Sequence, residues 1–492
     1  MATARLPVKG ISRYPRLCLY GGKHGALRRE GETVAEAADE LQVHDEAGAV
    51  SADFLHAVEA ALAEPEARAV RKLVRDLHAA DLADLIEHLA REERVELIAR
   101  LGRAFDVEAL AELDEAVRDD LMEALPNEVI ASAVRKLDTD DALYLIEDLD
   151  EQDQEDILAR VSKEDRAALT RALDYPENTA GRLMQTEFVA VPSFWSVGQT
   201  IDYMRIEKDL PEEFLEIYVI DPAFHLVGTV PVSRVLRNPR DKLIDDLMDD
   251  EQTVFAVTDA QDDVAYKFEQ YNLVSAAVTD TEGRLVGMLT IDDIVDVIQE
   301  EAEEDILCLG GVGDEEITDT VWSTTRSRFA WLLVNLGTAI LASWVISLFD
   351  ASIGQMVALA ILMPIVASMG GNAGTQTMTV AVRALATRDL GPINALRVVM
   401  RETSVGLING LLFALIMGLF AWWWFGSDGL GLVIGAAMVI NLVAAALAGI
   451  LIPLTLDRFN LDPAVASGVF VTTVTDVVGF FAFLGLAAVW LL

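Results

Sequence analysis

Cysteine is nearly absent: Cys18 and Cys308 are the only two in 492 residues. Two thiols so placed make neither a disulfide framework nor a structural-metal spacing, which fits a reducing compartment. No histidine follows His225 and no lysine follows Lys267, so the apolar last third of the chain lacks both imidazole and ammonium groups. A phosphate-cradling Gly-x-x-x-x-Gly-Lys loop is missing, and no nucleophile–base pair or catalytic motif stands out, so an enzyme reading has little support. Positive charge is scarce as well. The 38 Lys and Arg face 80 Asp and Glu, for a formal net charge of −42, and that disfavours a nucleic-acid partner because phosphate is repelled.

What is present divides by charge. Met1 to Glu30 carries seven bases and one acid, and Val321 onward carries seven arginines and seven acids, which leaves 72 acids against 24 bases between Gly31 and Thr320. A very acidic soluble half is thus joined to a nearly neutral apolar half, and the mean hydropathy of the whole is still +0.31. Repulsion on that scale opposes compaction unless cations condense on the acidic half. The basic segment 1–50 has no apolar signal core and little serine, so it reads as a disordered extension rather than a transit peptide.

Segment 51–175 is helical and repetitive. Asp81–Leu89, Asn127–Leu137 and Asp140–Leu149 look like variants of one short unit, opening with acids or Asn and continuing with leucines at helical period. Units of this kind stack into a small superhelix. Their acids serve either as a solvated face or as a functional one. Pro176 and Gly181 then mark a change of period. Leu215–Asp221 with Leu226–Val230, and Ser275–Asp280 with Leu285–Thr290, read as strand pairs, each followed by a helical stretch. This gives two β-β-α halves of about 60 residues, 176–247 and 248–305. Val219–Gly228 and Val278–Gly287 are recognisably one repeat, and the halves resemble a pair of cystathionine-β-synthase (CBS) domains. In that family the string Gly287-x-Leu289-Thr290-x-x-Asp293 can hold an adenosine ribose, which makes Thr290 and Asp293 candidate nucleotide ligands; the first half lacks the Asp.

The second half runs into a connecting segment, 292–325, that begins with eight acids in the fourteen residues Asp292–Asp305. The predicted helix has Ile294, Val295, Val297 and Ile298 on its apolar side. Its acids repel one another, and hard divalent cations that prefer oxygen ligands would relieve them; a purely solvated acidic face is the alternative.

Five apolar spans follow in segment 326–492: Phe329–Phe349, Met356–Val382, Val398–Phe425, Leu430–Leu456 and Val465–Leu492. Arg383, Arg388 and Arg397 lie between the second and third, with Arg401 at the start of the third, and Arg458 between the fourth and fifth, so the positive-inside rule puts the soluble half in the cytoplasm and the C-terminus outside. The second span contains Pro364 and the run Met369–Thr377, rich in glycine and amides, and is expected to be a broken helix whose carbonyls face an ion. Close helix packing is the other reading. The last span holds one ionisable group, Asp476, ~16–21 Å from either end at ~1.5 Å per residue. A carboxylate at that depth costs ~2.5–3.5 kcal/mol or more. With Gly468, Thr472 and Gly479 it forms a small, polar stripe suited to a water-filled path; the alternative is a protonated Asp bonded to a neighbouring helix.

The order of these parts resembles the MgtE family of magnesium channels. Met369–Thr377, Arg383–Leu390, Arg401–Gly410 and Leu461–Ala464, with Thr-Val-Thr-Asp ending at Asp476, carry the likeness. The resemblance implies a multidomain membrane protein: an all-α superhelical N domain, an α/β CBS pair and an α-helical five-span domain. It implies a homodimer in the plasma membrane, with a pore lined by Asn372, Gln376, Gly468 and Thr472 and a hydrated Mg²⁺ held by Asp476. It also implies closure by cytosolic Mg²⁺ at positions matching Asp262, Asp293, Asp296, Glu301, Glu304, Asp305 and Asp462, and possible ATP binding at the CBS pair. Two departures stand out: Asn272 and Tyr144 occupy places where the family pattern has Asp. The expected function is therefore Mg²⁺ uptake through a channel with feedback closure. The alternatives are a channel preferring Mn²⁺ or Co²⁺ and a non-transporting CBS-based sensor.

Overall fold

The structure is a computed structural model, and it describes residues 41–45, 48–64, 67–208, 210–211, 214–312, 321–459 and 461–491. Most of the basic segment 1–50 lies outside the described residues. The chain divides into two compact units after Glu112, within the helical segment.

In the first unit, helices α1 (Ala52–Ala63), α2 (Ala67–Val74), α3 (Ala79–His88) and α4 (Arg91–Leu101) bury Phe54, Val58, Val70, Leu85, Ile86 and Leu97. The second unit opens with α5 (Glu115–Ala124), α6 (Asn127–Val134), α7 (Thr139–Ile146), α8 (Glu151–Leu158) and α9 (Lys163–Leu173). Their opening acids have a local cause. Asp150 Oδ1 accepts from the Gln152 and Asp153 amides at the start of α8, and Ser162 Oγ accepts from Asp165 N at the start of α9. First-turn acids also meet the positive end of each helix dipole. Part of the negative charge is thus structural.

After α10 (Ala180–Leu183), β1 (Ala190–Pro192), α11 (Val197–Ile206), β2 (Glu216–Ile220), β3 (Leu226–Pro231) and α12 (Val232–Leu236) build the first half-domain. The second follows with β4 (Val254–Ala256), α13 (Gln261–Tyr271), β5 (Ser275–Thr279), β6 (Leu285–Thr290) and α14 (Ile291–Leu309). Both sheets have the same topology, a parallel pair followed by an antiparallel one, with a register shift at the same place: Val219/Ile220 and Val278/Thr279. The β-β-α expectation therefore missed β1 and β4. Each is three residues long, too short to show a period. Tyr218 and Ile220 of the first half pack with Ala277, Leu285 and Met288 of the second, and the hairpins bridge at His225 and Arg284.

The acidic helix α14 buries Ile294 and Val297 in the core of the second half-domain, beside Phe255, Phe268 and Leu289. The wider apolar side read from the sequence is only half used: Val295 is 51 % exposed and Ile298 38 %.

The apolar region is helical: α15 (Val321–Ser347), α16 (Asp350–Gln355), α17 (Ala358–Ala386), α18 (Ala395–Phe425), α19 (Asp428–Arg458) and α20 (Pro463–Trp490). All but α16 contain a stretch long and apolar enough to cross a membrane. Helix α19 is the centre of the group. In its most apolar stretch 61 % of residues are buried within the chain, against 11–28 % in the others. One expectation fails here: α17 is unbroken, with Pro364 inside it and Met369–Thr377 helical throughout. Its glycines serve close packing instead. A Cβ on Gly374 would stand 2.6 Å from Val471 Cγ1 of α20, and one on Gly370 would stand 2.2 Å from Asn441 Nδ2 of α19. A regular helix keeps its carbonyls in its own ladder, so side chains rather than backbone must meet an ion.

Candidate ion path and gate

Helices α17 and α20 pack along Gly374, Val471 and Thr475. Polar residues of both helices lie within a few residues of that seam. Asn372 and Gln376 of α17, four residues apart, are exposed. On α20, Thr472 is exposed and Gly468 and Asp476 are half-buried, at i, i+4 and i+8. Thr472 Oγ1 donates to Gly468 O at 2.7 Å, so its hydroxyl is satisfied within the helix and keeps acceptor capacity. Gly479 departs from the expected stripe: it is buried, and a Cβ there would stand 2.7 Å from Asn441 Nδ2. Among the described residues no side chain forms an ion pair or hydrogen bond with Asp476. Its carboxyl is half-buried and unpaired among the described residues.

A second acidic centre joins the helical segment to α14. Asp140, on the first turn of α7, lies beside Asp293, on the first turn of α14, and the two carboxyl groups interact. Thr290 Oγ1 donates to Asp293 and Gln185 Nε2 donates to Thr290 Oγ1, so the Thr290–Asp293 pair is held from within. Burial, and next the charge of Asp293, push the Asp140 carboxyl well above its ordinary value. Burial pushes Asp293 up to about 6, against the bonds from Thr290 that hold it down. Two carboxyls crowded this way share a proton or a cation. Asp140 was not singled out in the sequence, because acids open nearly every helix in that segment.

The third centre lies where α14 ends. Asp462 accepts from Ala464 N at 2.7 Å and so caps α20. Ligand atoms of Glu304, Cys308 and Asp462 lie within 4.8 Å of one another. Burial, then Asp462 and Glu301, raise the Asp305 carboxyl. Cys308 is buried among Met378 and Val382 of α17 and Ala464 and Val471 of α20, so the end of the acidic helix is seated on the two helices that carry the polar residues. Its role was not legible beforehand, although its place one turn after Glu304 was a signal.

The remaining candidates are dispersed. Glu301 accepts from Gln261 Nε2 at 3.0 Å, and Asp296, at the surface of α14, has its pKa raised by partial desolvation and next by Asp292. Asp262 stands apart from both centres, 3.8 Å from Arg388 Nη2. The same guanidinium pairs with Asp263 and lies 4.3 Å over the Tyr266 ring. A cation of the loop between α17 and α18 thus occupies the place expected for a metal at Asp262.

Family models for the MgtE divalent cation transporter, the MgtE intracellular N domain and the CBS domain match residues 363–486, 77–178 and 244–300. The magnesium transporter MgtE of Enterococcus faecalis is 33 % identical over 328 residues, covering 67 % of this chain and 72 % of that protein. This chain belongs to the MgtE family. The magnesium transporter MgtE of Thermus thermophilus is 32 % identical over 359 residues, 71 % of this chain and 78 % of that protein. A solved cytosolic domain of the Mg²⁺ channel MgtE in complex with ATP is 26 % identical over 49 % of this chain and 99 % of its own, with a TM-score of 0.46. The order of domains and the five apolar helices make the chain a multi-pass membrane protein of the MgtE architecture.

At the two positions where the resemblance implied Asp, the residues present have a structural reason. Asn272 ends α13 in the left-handed conformation, φ 52° and ψ 49°, which Asn tolerates better than most side chains. Tyr144 lies under Arg118, whose guanidinium carbon is 3.9 Å from the ring centroid. Arg118 is only 2 % exposed. Its Nη2 is 2.9 Å from Asp119, 2.5 Å from Asp148 and 4.0 Å from Glu115. Those three carboxylates would suit a divalent cation, but a resident guanidinium already bridges them. Replacing Arg118 with Leu is expected to cost about 2–3 kcal/mol, less than for a fully buried pair because the acids reach water. Millimolar Mg²⁺ should recover part of the loss. Thermal unfolding of the full chain in detergent measures both effects, and an unshifted midpoint would contradict the assigned role.

Proposed function

We propose that the chain conducts Mg²⁺ across the plasma membrane down its electrochemical gradient and closes when cytosolic Mg²⁺ binds its acidic centres. One observation carries this reading: Asp476, halfway along α20, is half-buried without a cation or hydrogen-bond partner among the described residues, on a helix packed against the one that carries the exposed Asn372 and Gln376. A hydrated divalent ion is the partner such a carboxylate suits, since Mg²⁺ gives up water reluctantly and binds through one or two carboxylates. A carboxyl left without a partner on a part-exposed helix favours a homodimer, in which a second copy of the same helix completes the path. The relatives are named magnesium transporters, which agrees with this chemistry. Entry of two charges down 100 mV releases ~4.6 kcal/mol, so no hydrolysis is needed. The arginines flanking the spans favour cytoplasmic soluble domains and an outside C-terminus.

In the closed state, Mg²⁺ at Asp140 and Asp293 holds the helical segment on α14. A second Mg²⁺ at Glu304, Asp305 and Asp462 holds the end of α14 on α20, with Glu301 and Asp296 adding local negative charge. Asp293 is assigned to the ion in preference to a ribose, because its carboxyl already engages Thr290 and Asp140. Reconstituted full-length protein should admit Mg²⁺ into liposomes under an inside-negative potential, reported by an entrapped indicator. Indicator signal no greater than in empty liposomes would overturn the reading, and competition by Mn²⁺ and Co²⁺ ranks the ions.

A further inference from the structure

We propose that Asn441 is a positioning residue for the ion path, setting the separation and register of α17 and α20; this deepens the transport reading above and rests on it. Asn441 lies in the middle of α19, the central helix, and is fully buried (0 % exposed). Its neighbours along the helix, Met438 and Leu442, belong to the apolar core. Nδ2 donates to Val366 O of α17 at 2.8 Å. Oδ1 has no hydrogen-bond partner among the described residues.

The slot around the amide is made by two glycines, one from each helix of the candidate path. A Cβ on Gly370 of α17 would lie 2.2 Å from Asn441 Nδ2, and a Cβ on Gly479 of α20 would lie 2.7 Å from the same atom. Gly370 is two residues before Asn372 and six before Gln376, and Gly479 is three residues after Asp476. Over such distances a helix is stiff, so the amide fixes where those polar side chains stand. Packing alone does not call for this arrangement. A leucine opposite the same two glycines has nearly the same shape, would bury more apolar surface and would leave no open acceptor. Ser467 and Thr475, also buried, bond to their own helix backbone, whereas Asn441 reaches across to another helix. The structure keeps a costly amide where it can pin α17 by a hydrogen bond and α20 by close approach.

The test uses full-length protein in liposomes and reads the half-saturating Mg²⁺ concentration, the maximal rate and the Mg²⁺/Ca²⁺ uptake ratio. Asn441→Leu, Gly370→Ala and Gly479→Ala should each shift the half-saturating concentration or the ion ratio by ~5-fold or more, beyond any change in the amount of folded protein. Removing the amide makes room for a methyl, so Asn441→Ala with Gly370→Ala should transport better than Gly370→Ala alone. Such a rescue is not expected of independent packing defects. Wild-type half-saturation and ion ratio in Asn441→Leu would overturn the proposal, as would additive effects in the double variant. If the wild type admits no Mg²⁺, the transport reading fails by itself. Non-additive thermal stabilities of the same two substitutions would still establish the slot, and additive ones would remove it.

Discussion

Asp476→Asn is expected to cut Mg²⁺ uptake by at least ~10²-fold while the protein remains folded. The size follows from electrostatics. A divalent ion ~5 Å from a single negative charge, with its water shell between, gains about 6–7 kcal/mol at an effective dielectric constant of ~20. Losing half of that slows entry by about a hundredfold. Stability should move the other way or not at all, because the substitution removes a half-buried charge that has no partner in the protomer. The opposite signs separate an ion site from a structural one. A buried, protonated Asp bonded to a neighbouring helix would lose stability on replacement and would affect uptake only through the amount of folded protein. Asp476→Glu keeps the charge but moves it by one methylene, so it should retain part of the uptake with altered ion preference. Initial rates in liposomes, set beside unfolding midpoints in detergent, measure both quantities. Uptake at the wild-type rate in Asp476→Asn would remove this residue from the path.

The large features were legible because each has a period or a composition of its own. The spans showed as apolar runs, α5 to α9 as capped leucine repeats, and the two hairpins as alternating segments. Asp476 was visible because nothing else ionisable shares its span. What escaped notice depends on contact rather than pattern. Helix α17 was expected to break at Met369–Thr377 because glycine signals both flexibility and closeness, and only the neighbours Val471 and Asn441 tell these apart. Asp140 is one acid among many until Asp293 is brought beside it. Arg118 reads as an ordinary surface base, yet it fills a cluster of three carboxylates that would otherwise suit a metal. Asp262 likewise has a counter-cation supplied from a loop more than a hundred residues away.

Neutralising both Asp140 and Asp293 to Asn should flatten the Mg²⁺ response of the channel from both ends. Without Mg²⁺ the wild-type pair repels itself, so the variant should be the more closed of the two. At millimolar Mg²⁺ the wild type gains a bridging ion that the variant cannot hold, so the variant should be the more open. A role in repulsion alone produces the first effect without the second, and a ligand role without crowding produces the second without the first. Acid gives the same separation. The Asp293 carboxyl stands at about 6 when docked beside Asp140, against an ordinary 3.8 when free. A raised carboxyl means that the docked state binds the extra proton, so this contribution to docking is complete below about pH 3.8 and is lost as pH rises through about 6. Near pH 5.5 a proton should therefore replace the cation and close the wild type at low Mg²⁺, whereas at pH 7.5 closure should require the divalent ion. The Asn pair should show neither dependence. Single-channel recording of the full chain over Mg²⁺ at the two pH values reads all four corners of this comparison. A variant that keeps the wild-type Mg²⁺ curve at pH 7.5 would move the sensor away from the contact between α7 and α14, leaving Glu304, Asp305 and Asp462 to close the path.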